Sequence, residues 1–247
     1  MKKEYSNEIS EAFLDCVKRT VARVSGEDGN HRPFHSSLLS PEALFWSRFE
    51  RSFSTSFGQG VIEKISKIAA LSGGATKANN QVHTHVKIDE NKLNAINTHI
   101  SALRNTSRGS WNNDLNEILS TPDNGNNIKE RVISDLVWVK NGTTNYMSIK
   151  TVKPNIDQTA EAKKDLLKLK INDPSCNVYF GLYYNPFSEN KADYTWSPPQ
   201  KIFDFQNDPC VLIGREYWDT LGGNGFYDEL LAIVRSVGDQ AKSMITF

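Results

Sequence analysis

Residues 132–155 contain the pattern that most limits how this chain can fold, VISDLVWVKNGTTNYMSIKTVKPN. Apolar and polar residues alternate on both sides of the pair Asn141-Gly142. An Asn-Gly pair between two such runs is a strong signal for a β-hairpin. The sequence therefore predicts two antiparallel strands, over residues 132–140 and 145–153.

The predicted hairpin brings Asp135 and Lys150 close together. Side chains alternate between the two faces of a strand, so Ser148 and Lys150 share one face. A two-residue turn puts Asp135 opposite Ser148, a four-residue turn puts it opposite Lys150, and a three-residue turn would separate the pair. A carboxylate can bind Mg²⁺, which activates a water at a phosphate, and a lysine can stabilise the negative charge that develops. The alternative is a surface hairpin that carries an ordinary charge pair.

The composition is that of a soluble globular protein. The 247 residues are 38% hydrophobic and 23% charged, which fits one large domain. With 29 basic and 29 acidic residues the net charge is zero, which argues against a polycation but not against a local DNA-binding cleft. Three scattered cysteines and the lack of an apolar leader or membrane-length run predict a cytoplasmic protein.

The residues before the hairpin are predicted to be mainly helical. Apolar residues recur at helical spacing over 7–24, 41–54 and on to about 71, with a shorter helix near 91–103. An aromatic cluster in the second of these helices, formed by Phe45, Trp46, Phe49 and Phe53, is interpreted as helix core or dimer interface. The polar stretches 72–92 and 104–127 are predicted to be long loops, which are often functional.

Strand and helix signals alternate after the hairpin. Asn155 and Gln158 resemble a capping box at the start of a helix that runs to about residue 171. Four lysines on this helix (Lys163, Lys164, Lys168 and Lys170) predict a solvated basic face. A buried strand over 177–185, further strands over 200–205 and 210–214, and terminal helices over 215–221 and 226–243 complete the pattern. The predicted fold is α/β, with a mixed central β-sheet flanked by helices.

The motifs of the hairpin resemble the core of the PD-(D/E)XK nucleases. These are SD at 134–135 and SIKTVKPN at 148–155, followed by a helix and the strand VYFGLYYNPF. The chain is more specifically similar to the TdeIII-type family of type II restriction endonucleases. Three further blocks carry that resemblance in the order of the family: FHSSLLSPEALFW with FSTSFGQGVIE, LYYNPF with Trp196 soon after it, and EYWDTLGG.

The resemblance implies that Asp135 is a metal ligand and Lys150 the catalytic lysine. The family would have an acidic residue where this chain has Ser148, so a second carboxylate must come from another element, or the enzyme is impaired. Glu63, which follows Phe-Gly in the third helical block, is the first candidate. Glu161, with Asp165 one helical turn further on, is the second.

The function implied by the resemblance is Mg²⁺-dependent double-strand cleavage of DNA at a GC-rich palindrome of the GGNCC kind. A symmetric duplex predicts a homodimer with one active site for each strand. One nuclease domain would span 1–247, with a helical part over 1–127 that carries DNA-contacting loops, a catalytic core over 128–214 and C-terminal helices over 215–247. The candidate DNA-binding residues are Lys153, Asn155, Asn79, Asn80, Gln81, Arg104 and Arg108. The alternatives are a structure-selective nuclease of the same superfamily, and a DNA-binding module without activity, which Ser148 would favour.

Overall fold

The computed structural model describes residues 1–26, 32–105 and 108–245. Within these residues, helices surround a single five-stranded sheet. The strands are β1 (Lys77–Asp89), β2 (Asn127–Lys140), β3 (Thr143–Lys150), β4 (Asn177–Leu182) and β5 (Val211–Ile213). The helices are α1 (Lys3–Gly26), α2 (Pro33–Leu38), α3 (Pro41–Ser56), α4 (Ile62–Ser72), α5 (Glu90–Asn105), α6 (Trp111–Leu119), α7 (Ile156–Asn172), α8 (Arg215–Gly222) and α9 (Phe226–Ser243).

The strands lie in the order β1-β2-β3-β4-β5, and the sheet is mixed. β1 pairs with β2 and β2 with β3 in antiparallel fashion, whereas β4 runs parallel to both β3 and β5. Helix α7 connects the parallel strands β3 and β4 and starts with the predicted capping box, in which Asn155 and Gln158 hydrogen-bond reciprocally. The predicted α/β fold with a mixed sheet flanked by helices is confirmed.

The hairpin between β2 and β3 has a two-residue turn, one of the two turn lengths that were expected to bring Asp135 near Lys150. Asn141 and Gly142 adopt positive φ values of 52° and 78°, as a turn of this kind requires. Lys140 pairs with Thr143 across it, and the pairing continues as far as Leu136 with Met147. The second strand ends at Lys150, three residues earlier than the predicted end at 153.

Two polar stretches that were predicted to be loops are largely regular structure. Residues 77–89 form β1, which pairs with β2 along nearly its whole length, and residues 111–119 form α6. The prediction of a strand over 200–205 is also wrong, because a 3₁₀ turn at Pro198–Lys201 is followed by another turn. There the carboxylate of Asp204 accepts hydrogen bonds from the backbone N–H groups of Gln206 and Asn207, which is the local turn chemistry of aspartate.

The sheet separates two hydrophobic clusters. One cluster packs α5, α6 and α7 against the sheet and includes Ile96, Trp111, Leu167 and Phe180. The other packs α1, α4, α8 and α9 and includes Ile65, Leu136, Met147, Tyr217 and Leu230. Helices therefore cover the sheet in two groups, and the hairpin contributes to both clusters. In the described part of the chain, no helix is both long and apolar enough to cross a membrane.

Lys163 does not belong to a solvated basic face, contrary to the prediction for α7. Its side chain is fully buried, where it donates to the carboxylate of Asp114 and to the backbone oxygen of Ile202. Its ammonium group also lies 4.8 Å from the ring centroid of Phe203. A lysine is buried in this way only when a partner compensates its charge, and these contacts tie α6, α7 and the turn region together.

Candidate active site

Asp135 and Lys150 meet on the hairpin, and their predicted proximity is confirmed. The Nζ atom of Lys150 lies 3.3 Å from Oδ2 of Asp135. The same carboxylate oxygen accepts a 2.6 Å hydrogen bond from the backbone N–H of Ile149 and a 3.3 Å bond from the hydroxyl of Ser148. Three donors of β3 thus fix the carboxylate, while the side chains of Asp135 and Lys150 keep exposed fractions of 19% and 24%. Both groups are accessible to a ligand.

A second carboxylate, that of Glu63, joins this pair through a side-chain amide. Glu63 lies in the first turn of α4, which follows a π-helical turn at Phe57–Val61. The amide nitrogen of Gln81 on β1 donates to Oε2 of Glu63 at 2.9 Å and to Oδ1 of Asp135 at 3.3 Å. The carboxylates from α4 and β2 are therefore neighbours, although 72 residues separate them along the chain (135 − 63).

Burial raises the pKa of Glu63 above its ordinary value, and the nearby charge of Asp135 raises it further. The hydrogen bond from Gln81 and the charge of Lys150 act in the opposite direction. The effect of Asp135 is the one expected when two carboxylates share a site. The electrostatic repulsion between two such carboxylates decreases when a cation binds between them.

Asn80 connects the same elements through the backbone. Its side-chain amide donates to the backbone oxygen of Glu63 at 2.9 Å and to that of Asp135 at 3.1 Å. Asn80 is half-buried, and its amide nitrogen is occupied by these two carbonyl groups. Among the predicted DNA-binding residues, Asn80 and Gln81 thus hold the carboxylate pair together. Sequence reasoning missed this role, because residues 72–92 were predicted to form a loop.

Tyr217 of α8 lies behind the carboxylates. It is fully buried, its hydroxyl is 2.5 Å from the hydroxyl of Ser66 on α4, and burial raises its pKa. Gly181 of β4 allows this close approach, since a Cβ atom there would lie only 2.5 Å from the tyrosine ring. The tyrosine therefore helps to fix α4, the helix that carries Glu63, against the sheet.

The acidic residues of α7 lie differently. Glu161 is exposed and pairs with Lys164 at 3.0 Å. Asp165 is half-buried and lies 3.5 Å from Lys168; burial raises its pKa, and Lys150 is among the positive charges that lower it. Among the described contacts, neither carboxylate is joined to Asp135 as that of Glu63 is. The geometry thus favours Glu63 over Glu161.

Two predicted DNA-binding residues lie just after the end of β3. The ammonium group of Lys153 is 5.4 Å from the ring centroid of Trp196 and 5.5 Å from that of Phe187, while the side chain remains exposed. Asn155 uses its side-chain oxygen to accept the backbone N–H of Gln158. Lys153 therefore presents a charge in a fixed position, whereas Asn155 caps a helix.

The remaining candidates are spread over three elements. Arg104, near the end of α5, pairs with Asp157 of α7 at 2.8 Å. Arg108 is exposed, and its charge contributes to the lowered pKa of Asp204. Asn79 is half-buried and pairs with Val137 in the sheet. These positions are not joined to the carboxylate pair by the described hydrogen bonds.

The residues of the site fit a hard divalent cation. Within residues 1–26, 32–105 and 108–245, no group of three or more His, Cys, Asp or Glu side chains could hold a metal ion. The two histidines of β1, His83 and His85, are therefore not part of such a group. Mg²⁺, however, usually keeps several of its waters and is bound through one or two carboxylates together with substrate phosphates. Asp135 and Glu63 supply such a pair, and their mutual repulsion is what a cation would relieve.

A carboxylate pair and a lysine at a β-hairpin, on a mixed sheet flanked by helices, suit an enzyme of phosphodiester hydrolysis. A family model, HinfI type II restriction endonuclease, matches residues 1–238, and the chain belongs to this family. It is therefore a site-specific deoxyribonuclease. The match is to the HinfI family, and the narrower resemblance to the TdeIII type is not confirmed by it.

The chain is also similar to type II restriction enzymes of Herpetosiphon aurantiacus. The type II restriction enzyme HgiCII is 33% identical over 250 residues, which cover 98% of this chain and 89% of the relative. The type II restriction enzyme HgiEI is 32% identical over 231 residues, which cover 89% of this chain and 82% of the relative. No solved structure matches this chain.

Proposed function

We propose that this restriction endonuclease makes Mg²⁺-dependent double-strand cuts at a short GC-rich palindrome, with Asp135, Glu63 and Lys150 as its active site. The observation that carries the proposal is the arrangement of two carboxylates that share a hydrogen-bonding amide, one of which also pairs with the ammonium group of Lys150. The active site belongs to a PD-(D/E)XK core in which the second acid has moved from the position of Ser148 to a helix. The specificity for a GGNCC-like palindrome rests on the sequence resemblance alone.

Each group has a role that follows from its chemistry. Asp135 and Glu63 would hold the cation, and the three donors of β3 keep the aspartate in a fixed orientation. When bound there, Mg²⁺ would supply Lewis-acid activation of the scissile phosphate and of a water. Lys150 orients the attacking water and stabilises the negative charge that grows on the phosphate oxygens. The water oxygen forms a new bond to phosphorus as one P–O ester bond breaks; the water gives up a proton to the solvent, and the leaving oxygen takes one up from it.

Glu63 takes the place of the missing acid more readily than Glu161. An amide hydrogen-bonded to both carboxylates joins Glu63 to Asp135, whereas Glu161 is exposed and already paired with Lys164. Ser148 keeps a supporting role, because its hydroxyl donates to the aspartate. A serine at that position is thus compatible with catalysis. It is not a reason to regard the protein as a DNA-binding module without activity.

The substrate and the cellular setting follow from the same proposal. Double-stranded DNA is the partner, Lys153 is placed to contact a phosphate, and two copies of the chain present one site to each strand of the palindrome. Arg104, Arg108 and Asn79 remain candidates for DNA contact. The three described cysteines are free and buried, which fits a cytoplasmic enzyme.

Plasmid digestion tests the proposal. With Mg²⁺ the wild type should give discrete fragments from a plasmid of known sequence, and none with EDTA. Asp135→Asn and Lys150→Ala should each abolish cleavage, yet retain specific binding to a duplex that contains the site in Ca²⁺. A smear, or cutting confined to branched DNA, would favour a structure-selective nuclease. Specific binding without cleavage in Mg²⁺ or Mn²⁺ would contradict the proposed chemistry.

A further inference from the structure

Gln81 has an unusual backbone conformation for its position. It lies within β1, yet its φ angle is +51°, in the left-handed region that non-glycine residues rarely adopt. The flanking pairs, Asn80 with Leu136 and Val82 with Ser134, put Gln81 directly opposite Asp135. Strained backbone of this kind tends to occur at functional sites, where the surrounding structure maintains it.

The left-handed residue changes where two successive side chains point. Neighbouring side chains of a regular strand face opposite sides of the sheet. Here the amides of both Asn80 and Gln81 contact groups of the same two residues, Glu63 and Asp135. Asn80 reaches their backbone carbonyls, and Gln81 reaches their carboxylates. Gln81 therefore lies in a strand and contacts the candidate active site, whereas the sequence predicted it in a loop that contacts DNA.

The amide of Gln81 lies where a cation shared by the two carboxylates would be expected. Ionised carboxylates only accept hydrogen bonds, so the amide nitrogen must face them when no cation is present. It donates to Oε2 of Glu63 and Oδ1 of Asp135 at 2.9 Å and 3.3 Å. Each carboxylate thus has one oxygen directed at the same neutral donor. This donor therefore bridges the two acids.

We propose that Gln81 positions the two carboxylates of the cation site, and that its side chain rearranges to become a ligand itself when a divalent cation binds. This inference rests on the proposed function, in which Asp135 and Glu63 hold the ion. A half-turn about the last side-chain bond, a torsion with broad preferences, replaces the amide nitrogen with the amide oxygen. Amide oxygens are accepted ligands for hard divalent cations. Gln81 then supplies a neutral oxygen at a site with only two carboxylates.

Cation binding without DNA tests this role, with Ca²⁺ and Mg²⁺ as the ions used. Calorimetric titration of Gln81→Met, which keeps the approximate size of the side chain but has no amide, should give a Kd about tenfold to a hundredfold weaker than that of the wild type, the range for groups that orient metal ligands. Gln81→Gly, which adopts a positive φ without strain, should show the same weakening and guards against misfolding of the first variant. The matched control is Gln240→Met on α9, which should keep the wild-type Kd.

A third variant distinguishes positioning from a purely structural effect. Gln81→Glu places a third carboxylate beside the pair, so its melting temperature should fall in EDTA and rise more with Ca²⁺ than that of the wild type. Unchanged Ca²⁺ affinity in Gln81→Met and Gln81→Gly, while Asp135→Asn loses binding, would overturn the role of Gln81 alone. A wild type that binds neither Ca²⁺ nor Mg²⁺ would overturn both this inference and the proposed cation site.

Discussion

Ser148 makes a small contribution to the orientation of Asp135. Its hydroxyl is one of three donors to Oδ2, and its 3.3 Å distance is longer than the 2.6 Å of the backbone N–H of Ile149. A neutral hydrogen bond contributes only about 1 kcal/mol to stability. The carboxylate would therefore remain oriented if the hydroxyl were removed.

Ser148→Ala should accordingly retain cleavage within about tenfold of the wild-type rate, since the loss of about 1 kcal/mol of interaction corresponds to roughly a fivefold change. Single-turnover cleavage of a duplex that contains the site measures this rate. Asp135→Asn in the same assay provides the reference for loss of a ligand. If Ser148→Ala were as inactive as Asp135→Asn, the hydroxyl would have a direct role in the chemistry.

The two candidates for the second acid lead to opposite expectations. Glu63→Gln removes a charge that the proposed cation site requires, and should abolish cleavage while the fold is preserved. Glu161→Gln removes an exposed partner of Lys164, and should leave the cleavage rate nearly unchanged because exposed ion pairs contribute little. Parallel single-turnover rates decide between them. The reverse result would assign the second acid to α7.

At the scale of elements, the sequence predicted what depends on neighbours along the chain. The Asn141-Gly142 turn and the Asn155 cap are local devices, and both were predicted correctly. The contact of Asp135 with Lys150 followed from turn length and strand alternation, which are also local. These signals were sufficient to bring together two of the three groups of the candidate site, Asp135 and Lys150.

The structure differed from the sequence-based prediction where an element is stabilised by residues that are distant along the chain. β1 is rich in polar residues and exists because it pairs with β2, so its sequence alone predicted a loop. The positions of Gln81 and Asn80 relative to the carboxylates could not be predicted without that strand. For residues 200–205 the prediction was wrong in the opposite direction, because a strand was predicted where the chain forms a turn. Ile202, Phe203 and Phe205 are buried as they would be in a strand, but they lie on either side of the turn at Asp204.

Asn155 should affect stability more than DNA binding. Its side chain accepts a 2.8 Å hydrogen bond from the N–H of Gln158, so Asn155→Ala removes the cap of α7 and should lower the free energy of unfolding by about 1 kcal/mol. Urea denaturation measures that change, and Lys153→Ala is the matched comparison. Lys153→Ala should instead weaken DNA binding and reduce its salt dependence. If Asn155→Ala had the stability of the wild type but bound DNA more weakly, Asn155 would instead be a DNA-contacting residue, as predicted from the sequence.

At the scale of the whole molecule, the helices α2 and α3 contribute no buried residue to the hydrophobic clusters, and Phe53 of α3 is only partly buried against the second one. The pair carries exposed apolar side chains at Phe34, Leu38 and Trp46. Exposed apolar side chains that together form a patch are typical of a surface that another molecule covers. In the proposed homodimer, a second copy of this chain would cover it.

The dimer gives a prediction about mass. Sedimentation velocity should show a species of twice the chain mass of 27.8 kDa. The double substitution Phe34→Ser and Leu38→Ser should shift it toward the monomer, because both apolar side chains are then lost from the interface. Replacing Val234, an exposed apolar residue of α9, with serine is the control and should leave the dimer intact. A monomeric wild type on its DNA site would contradict the two-fold arrangement.

The conformation of β1 has a consequence for how the enzyme behaves in concentrated solution. β1 is an edge strand of the sheet. The unpaired backbone N–H and C=O groups of an edge strand can form hydrogen bonds with a strand of another molecule. The left-handed residue at position 81 interrupts the regular spacing of those groups, and the side chain of Asn172 occupies the N–H of Lys87 further along. We expect both features to disfavour pairing of this edge with another copy of the enzyme, which could otherwise polymerise through it.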